Sequence, residues 1–201
     1  LTESLSTRMG GLATGTIHLA IGLAKHFNLN EHQIITQEDN ENISFEDEYD
    51  LPKNLSIIKV PKFGPKMYPI SLTMREIIKS FNPDVLYLKG LWRQSSLEAY
   101  FWKKSNPKKI LIVSPAGMLQ PTPFKNKKIL KLISIFLIEK KLFKKCDILH
   151  TVSLTERKNI IESKYKFKKI IFIPEGIPIN KLKTKKKKTK FSRNLVSISR
   201  I

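Results

Sequence analysis

Apolar runs of strand length alternate with longer helical patterns along almost the whole chain. That alternation is the signature of βαβ units built around a parallel sheet. Strand-length runs fall at 32–36 (HQIIT), 55–60 (LSIIKV), 85–88, 109–113, 147–150, 170–173 and 195–198. Between them lie helical spacings. In 14–28, Ile17, Ala20, Ile21 and Ala24, then Leu23 and Phe27, recur at the period of one helix face. Further helices are expected over 71–81, 94–104, 125–145 and 153–163, with Asn82-Pro83-Asp84 and Asn106-Pro107 as stops. The expected fold class is α/β, a doubly wound parallel sheet.

Such a fold normally opens on a strand, and here a glycine-rich loop comes first, so truncation at the start is expected. At the other end, 183–190 is mostly lysine, self-repelling and therefore extended, which suits a linker. The expected organisation is one domain over 1–180, a lysine-rich linker over 181–193, and the opening of a second domain over 194–201.

The chain carries 37 Lys and Arg against 17 Asp and Glu, a formal charge of +20. A charge of this size attracts nucleic acid, anionic membranes or phosphorylated substrates. Only six of the basic residues are arginine, and the lysines are spread among isoleucines and asparagines. Compositional drift and a functional basic face both account for that distribution. Nucleic-acid recognition is disfavoured, because aromatic residues interleaved with Arg and Lys, as in RNA-binding modules, are absent. The single cysteine, Cys146, excludes an internal disulfide and fits a reducing compartment. The four histidines show no metal-ligand spacing, so no metal and no bound cofactor are expected. Residues 1–9 lack the pattern of a secretory signal, and the densest apolar stretch, 132–138, is too short to span a bilayer. A soluble protein is expected, or one resting on a membrane surface.

Ligands of open α/β sheets bind beyond the carboxyl ends of the strands, which directs attention to four loops. Met9 to Gly15 (MGGLATG) precedes a helix; its glycines admit a close-lying ligand, or form an ordinary tight turn. Lys89-Gly90-Leu91-Trp92-Arg93 leaves a strand with two cations and an indole. These grip a sugar or phosphate, or else Trp92 caps the sheet edge while Lys89 points to water. Ser114-Pro115-Ala116-Gly117-Met118 offers little beyond backbone N–H groups, and Glu175, in Ile173 to Pro178, reads by default as a solvated turn carboxylate. Ser153 and Glu156 have the spacing of a capping box, and His150 reads as a packed or hydrogen-bonded core residue. The expected 125–145 helix is apolar nearly all round with lysines at both ends. That pattern suits burial, or an end resting on an anionic membrane at about 1 kcal/mol per nearby lysine.

In order, these pieces resemble the N-terminal domain of family 4 glycosyltransferases. The resemblance rests on Gly10-Gly11, KGLW at 89–92, SPAGM at 114–118, Glu139 in the long helix, SLTE at 153–156, IPEGI at 173–177 and Ser199-Arg200. It covers essentially the whole chain. It implies the Rossmann-like acceptor-side half of a GT-B enzyme that moves sugar from a nucleotide-sugar donor to a glycan or lipid-linked acceptor. The implied reaction is retaining and metal-free, serves cell-surface polysaccharide or lipopolysaccharide assembly, and takes place in the cytoplasm, peripheral on the inner face of the membrane. By position, Gly10, Gly11 and Arg200 would meet the donor, while Lys89, Trp92, Gly117 and Met118 would line the acceptor cleft. Ser153, Glu156 and Glu175 would cap or complete it. The sequence also departs from the family pattern. Ala116 stands where Ser-Pro-His-Gly places histidine, Lys89 replaces the histidine of His-Gly-Leu-Trp, Glu175 replaces an asparagine, and Ser199 replaces a glycine. No catalytic group is assigned in this half, and these 201 residues alone are not expected to transfer sugar. A non-catalytic homologue is the alternative, and a nucleic-acid-binding protein a more distant one.

Overall fold

The computed structural model describes residues 1–6, 10–38, 49–65, 68–119, 138–163 and 165–176. The first part of the expected 125–145 helix, the 181–193 linker, the 194–201 opening of a second domain and Arg200 lie outside the described residues. The elements, in chain order, are α1 (Gly11–His26), β1 (His32–Gln37), β2 (Leu55–Val60), α2 (Met74–Phe81), β3 (Val85–Lys89), α3 (Gln94–Ser105), β4 (Ile110–Ser114), α4 (Lys140–Lys145), β5 (Ile148–Thr151), α5 (Leu154–Ile161) and β6 (Ile170–Phe172).

All the strand pairings named here are parallel. β1 pairs with β2, setting Ile34 opposite Ile57, and β3-β4-β5-β6 follow one another, with Leu88 opposite Val113 and His150 opposite Ile171. Residues 1–3 join the two groups. Leu1 N–H donates to the Tyr87 carbonyl at 2.7 Å, and Lys89 N–H donates to the Leu1 carbonyl at 3.0 Å. On the other side, Thr2 N–H donates to the Ile35 carbonyl at 3.1 Å, and Gln37 N–H to the Glu3 carbonyl at 3.0 Å. The spatial order is therefore β2, β1, residues 1–3, β3, β4, β5, β6. The chain runs outward from residues 1–3 to β1 and β2, then crosses back to β3. The order reverses between residues 1–3 and β3. In doubly wound sheets, that reversal opens a crevice beyond the strand ends.

The two-residue period of a strand sorts the side chains. In β3 and β4, Leu86, Leu88, Leu111 and Val113 are buried, while Val85 and Ile110 on the opposite face are exposed. The buried set joins Ile35, Val60, Met74, Ile78, Ala99, Trp102, Leu142, Phe143 and Leu149 in the larger core. Fully burying one such aliphatic side chain contributes roughly 2 kcal/mol. A second core, with Leu5, Ala13, Ile17, Ala24, Ile34 and Leu55, lies on the α1 side. α1 presents Ala13, Ile17 and Ala24 to it, the narrow stripe of an amphipathic helix.

Two helix starts differ from their sequence expectation, each for a local reason. α1 begins at Gly11, ahead of the expected 14, because the Gly10 carbonyl already accepts from Ala13 and Thr14 N–H. α2 begins at Met74, after the expected 71, because the buried amide of Gln94 holds the backbone of Ser71. Its Oε1 accepts from Ser71 N–H, and its Nε2 donates to the Ser71 carbonyl at 2.7 Å. At its other end α2 stops at Asn82, in the left-handed region, whose N–H caps the Ile78 carbonyl.

Candidate functional site

Four loops leave the carboxyl ends of residues 1–6, β3, β4 and β6, and three unusual backbone turns hold them in place. Gly10 sits at φ 55, ψ −128, a conformation open to glycine and costly for other residues. No side chain caps the α1 start that follows it. After β3, Gly90 (φ 90) and Trp92 (φ 65) fold the loop back on itself. Gly90 N–H donates to the Ser114 carbonyl, Leu91 N–H lies 3.2 Å from Met118 Sδ, and Trp92 N–H donates to Glu139 Oε1 at 2.7 Å. A non-glycine residue at φ 65 is uncommon, and the buried Glu139 acceptor holds Trp92 there. After β4, Ala116 (φ 50) and Gly117 (φ 84) make the third turn.

Buried carboxylates fasten these loops to the scaffold. Glu156, fully buried, accepts from Gly117 N–H at 2.6 Å and from Val152 N–H at 3.0 Å. Ser153 Oγ caps α5 by accepting from Glu156 N–H at 3.1 Å. This is half of a capping box. The Glu side chain reaches the residue before the cap and, across the sheet, the SPAGM loop. Glu139 is also fully buried, and burial pushes its carboxyl up to about 7, against the pull of the Trp92 N–H.

Beside the reversal in strand order, between α1 and the segment that leaves β6, lies a cleft of about 550 Å³. Gly15, His18, Leu19 and Leu23 of α1 form one wall, and Ile173, Pro174, Glu175 and Gly176 after β6 form another. Tyr87, Lys89 and His150 also line it. The Lys89 side chain is 2% exposed, and its ammonium pairs with Glu175, itself 36% exposed. His150 Nε2 lies 2.8 Å from the Ile173 carbonyl, so that nitrogen carries the proton, and Nδ1, 2.6 Å away, accepts from the Tyr87 hydroxyl. Burial pushes the Tyr87 phenol up to about 12, keeping it a proton donor. The cleft thus combines paired charges, hydroxyl and imidazole groups with aliphatic walls, the mixture typical of small-molecule sites.

A family model described as Glycosyltransferase Family 4 matches residues 9–181. The chain belongs to Glycosyltransferase Family 4. It is therefore a glycosyltransferase domain, and its parallel α/β architecture agrees with a Rossmann-like half of that enzyme type. No curated protein matches it. Among the described residues of this Family 4 domain, no helix is long and apolar enough to cross a membrane. No three His, Cys, Asp or Glu side chains gather at metal-binding distance among them either.

Within the Family 4 domain, the structure joins some of the sequence-predicted positions and separates others. Lys89, Gly117, Met118, Ser153, Glu156 and Glu175 lie on neighbouring strand-exit loops or on the helix that clamps them. Lys89 does not point to water, and Glu175 is not merely a solvated turn carboxylate, because each meets the other. Gly10 and Gly11 open α1 one turn before Gly15, and the next residue, Leu12, lies close to Gly90. Trp92 and Met118 are placed differently: both pack against the larger core, and neither they nor Gly117 line the cleft. Gly15, His18, Tyr87 and His150 are cleft residues that sequence reasoning did not assign to a site. Their one sequence signal is position, one or two turns into a helix or within strands that end at the same rim.

Proposed function

We propose that the domain is the acceptor-side half of a GT-B glycosyltransferase. It moves a sugar from a nucleotide-sugar donor to a glycan or lipid-linked acceptor, in cell-surface polysaccharide or lipopolysaccharide assembly. Transfer proceeds with retention and without a metal ion; cationic side chains and helix N-termini stabilise the departing diphosphate. The supporting observation is the cleft beside the strand-order reversal, with Lys89, Glu175 and Tyr87 set among aliphatic side chains in a chain of this family. Gly10, Gly11 and Arg200 serve the donor in this reading. The +20 charge favours work beside an anionic membrane, at the inner face of the cell membrane.

The purified protein, titrated with oligosaccharides and lipid-linked glycans, should show saturable binding that perturbs Gly15 and Gly176. The full-length gene product, incubated with a panel of nucleotide sugars and the bound acceptor, should release nucleoside diphosphate equally well in chelator, whereas residues 1–201 alone should not. A protein that binds no glycan and turns over no nucleotide sugar refutes the reading. A second reading, a non-catalytic homologue that keeps its glycan site, is favoured by Ala116. This methyl side chain occupies the family's histidine position, at φ 50, on the loop that Glu156 fastens. Glycan binding without turnover identifies it.

A further inference from the structure

Lys89 is the least exposed charged side chain among the cations described, and a buried ammonium calls for an anionic partner. Glu175, 86 positions later in the sequence, supplies it at the wall of the cleft. Gly15 completes the arrangement. A Cβ at that position would stand 2.5 Å from Glu175 Oε2 and 2.8 Å from Lys89 Nζ, so a side chain there makes the ends of both residues shift from this arrangement. A helix glycine, a strand-exit lysine and a turn carboxylate, from three separate elements, thus form one compact unit. Lys89 and Glu175 are also two of the positions where the sequence departs from the family pattern, and the structure joins those two departures in a single contact.

The pairing changes what the cleft recognises. A lone buried lysine is an anion site. A lysine whose charge is cancelled by a carboxylate offers one strong donor and one strong acceptor with no net attraction for phosphate. A phosphate brought to Lys89 would meet the Glu175 charge at short range. A sugar hydroxyl both donates and accepts, so it satisfies both members of the pair, and the flanking Leu19, Leu23 and Ile173 suit the C–H face of a sugar ring. We propose that Lys89 and Glu175, with Gly15 making room for them, form a specificity-determining subsite for the hydroxyl groups of an uncharged sugar unit, and that Glu175 excludes phosphorylated or otherwise anionic sugars. The assignment rests on the acceptor-side reading given above.

The test compares wild type with Glu175→Gln and with the doubly neutral Lys89→Met/Glu175→Gln protein, each confirmed folded by circular dichroism. Neutral oligosaccharides, their phosphorylated counterparts and inorganic phosphate are titrated, with the amide signals of Gly15 and Gly176 as readout. Wild type should bind neutral oligosaccharide and show no phosphate response at those amides. Glu175→Gln should lose about tenfold in affinity for neutral sugar and gain a phosphate response, and the double variant should lose both. A phosphate response in wild type overturns the proposal. So does unchanged neutral-sugar affinity in Glu175→Gln, which leaves the acceptor-side reading standing. If wild type binds neither neutral nor phosphorylated oligosaccharide, both fall together.

Discussion

Replacing Glu139 with glutamine should reshape how stability depends on pH. Glu139 is fully buried and its carboxyl is pushed from an ordinary value of 4.5 to about 7 by burial. A carboxyl with a raised folded-state pKa holds its proton more tightly in the native protein than in the unfolded chain. Its contribution is therefore fully present below about pH 4.5 and is lost as pH rises towards 7. Two and a half units, at about 1.4 kcal/mol each, correspond to about 3 kcal/mol of pH-dependent stability. Full burial leaves little solvent screening to reduce that figure. Glutamine stays neutral throughout, and its side-chain oxygen still accepts from Trp92 N–H, so the φ 65 turn is kept. Urea unfolding at a series of pH values measures both proteins. The two should be closely matched near pH 4.5, and by pH 8 Glu139→Gln should be more stable by about 3 kcal/mol. A stability difference that stays constant from pH 4.5 to 8 refutes the reasoning. A Glu139→Gln protein less stable at pH 8 does so as well.

Four further outcomes are expected. Gly22, in the same helix as Gly15, has open space where a Cβ would go, so Gly22→Ala should stabilise by about 0.5–1 kcal/mol. Gly15→Ala should raise the melting temperature less than Gly22→Ala does, because its methyl group makes the ends of the Lys89 and Glu175 side chains shift. Glu156→Ala leaves the N–H groups of Gly117 and Val152 without their carboxylate, and denaturant unfolding should register a loss of about 3 kcal/mol. Burial pushes the thiol of Cys146 up to about 12, so a thiol reagent at pH 8 should label the protein only as fast as it unfolds.

The sheet was largely legible in the sequence because its strands are short apolar runs bounded by Pro, Asn and Gly. β2 begins and ends where the pattern places it, and β3 and β4 each extend one residue further at the exit. The third strand position, residues 1–3, carried no readable signal, since three residues show no period and their partners lie far along the chain. The site was legible as a set of loops and opaque as a set of contacts. Read alone, Glu175 defaults to solvent and Lys89 divides between a ligand and water, and nothing local tells a lysine that a carboxylate 86 positions on will meet it. Gln94 illustrates the same limit from the other side. A polar residue opening a helix looks unremarkable until its amide is seen holding Ser71 and accepting from Gln37, with the neighbouring Glu98 gripping Arg75 at 2.7 Å.

The placement of residues 1–3 also bears on how the molecule assembles. Their ladder partners on one side are Ile35 and Gln37, and on the other Tyr87 and Lys89. The β1 side of this seam, Thr2 to Ile35, closes over about as much chain as the pairing of Ile112 with Ile148, whereas the β3 side joins Leu1 to Tyr87, 86 positions on, and closing that stretch costs the most entropy before any contact compensates. Residues 1–3 with the β1–β2 flank, and the β3–β6 flank, are each built from shorter closures than the contact between residues 1–3 and β3 that joins them. That long-range seam is also what sets Lys89 of β3 beside Gly15 of α1.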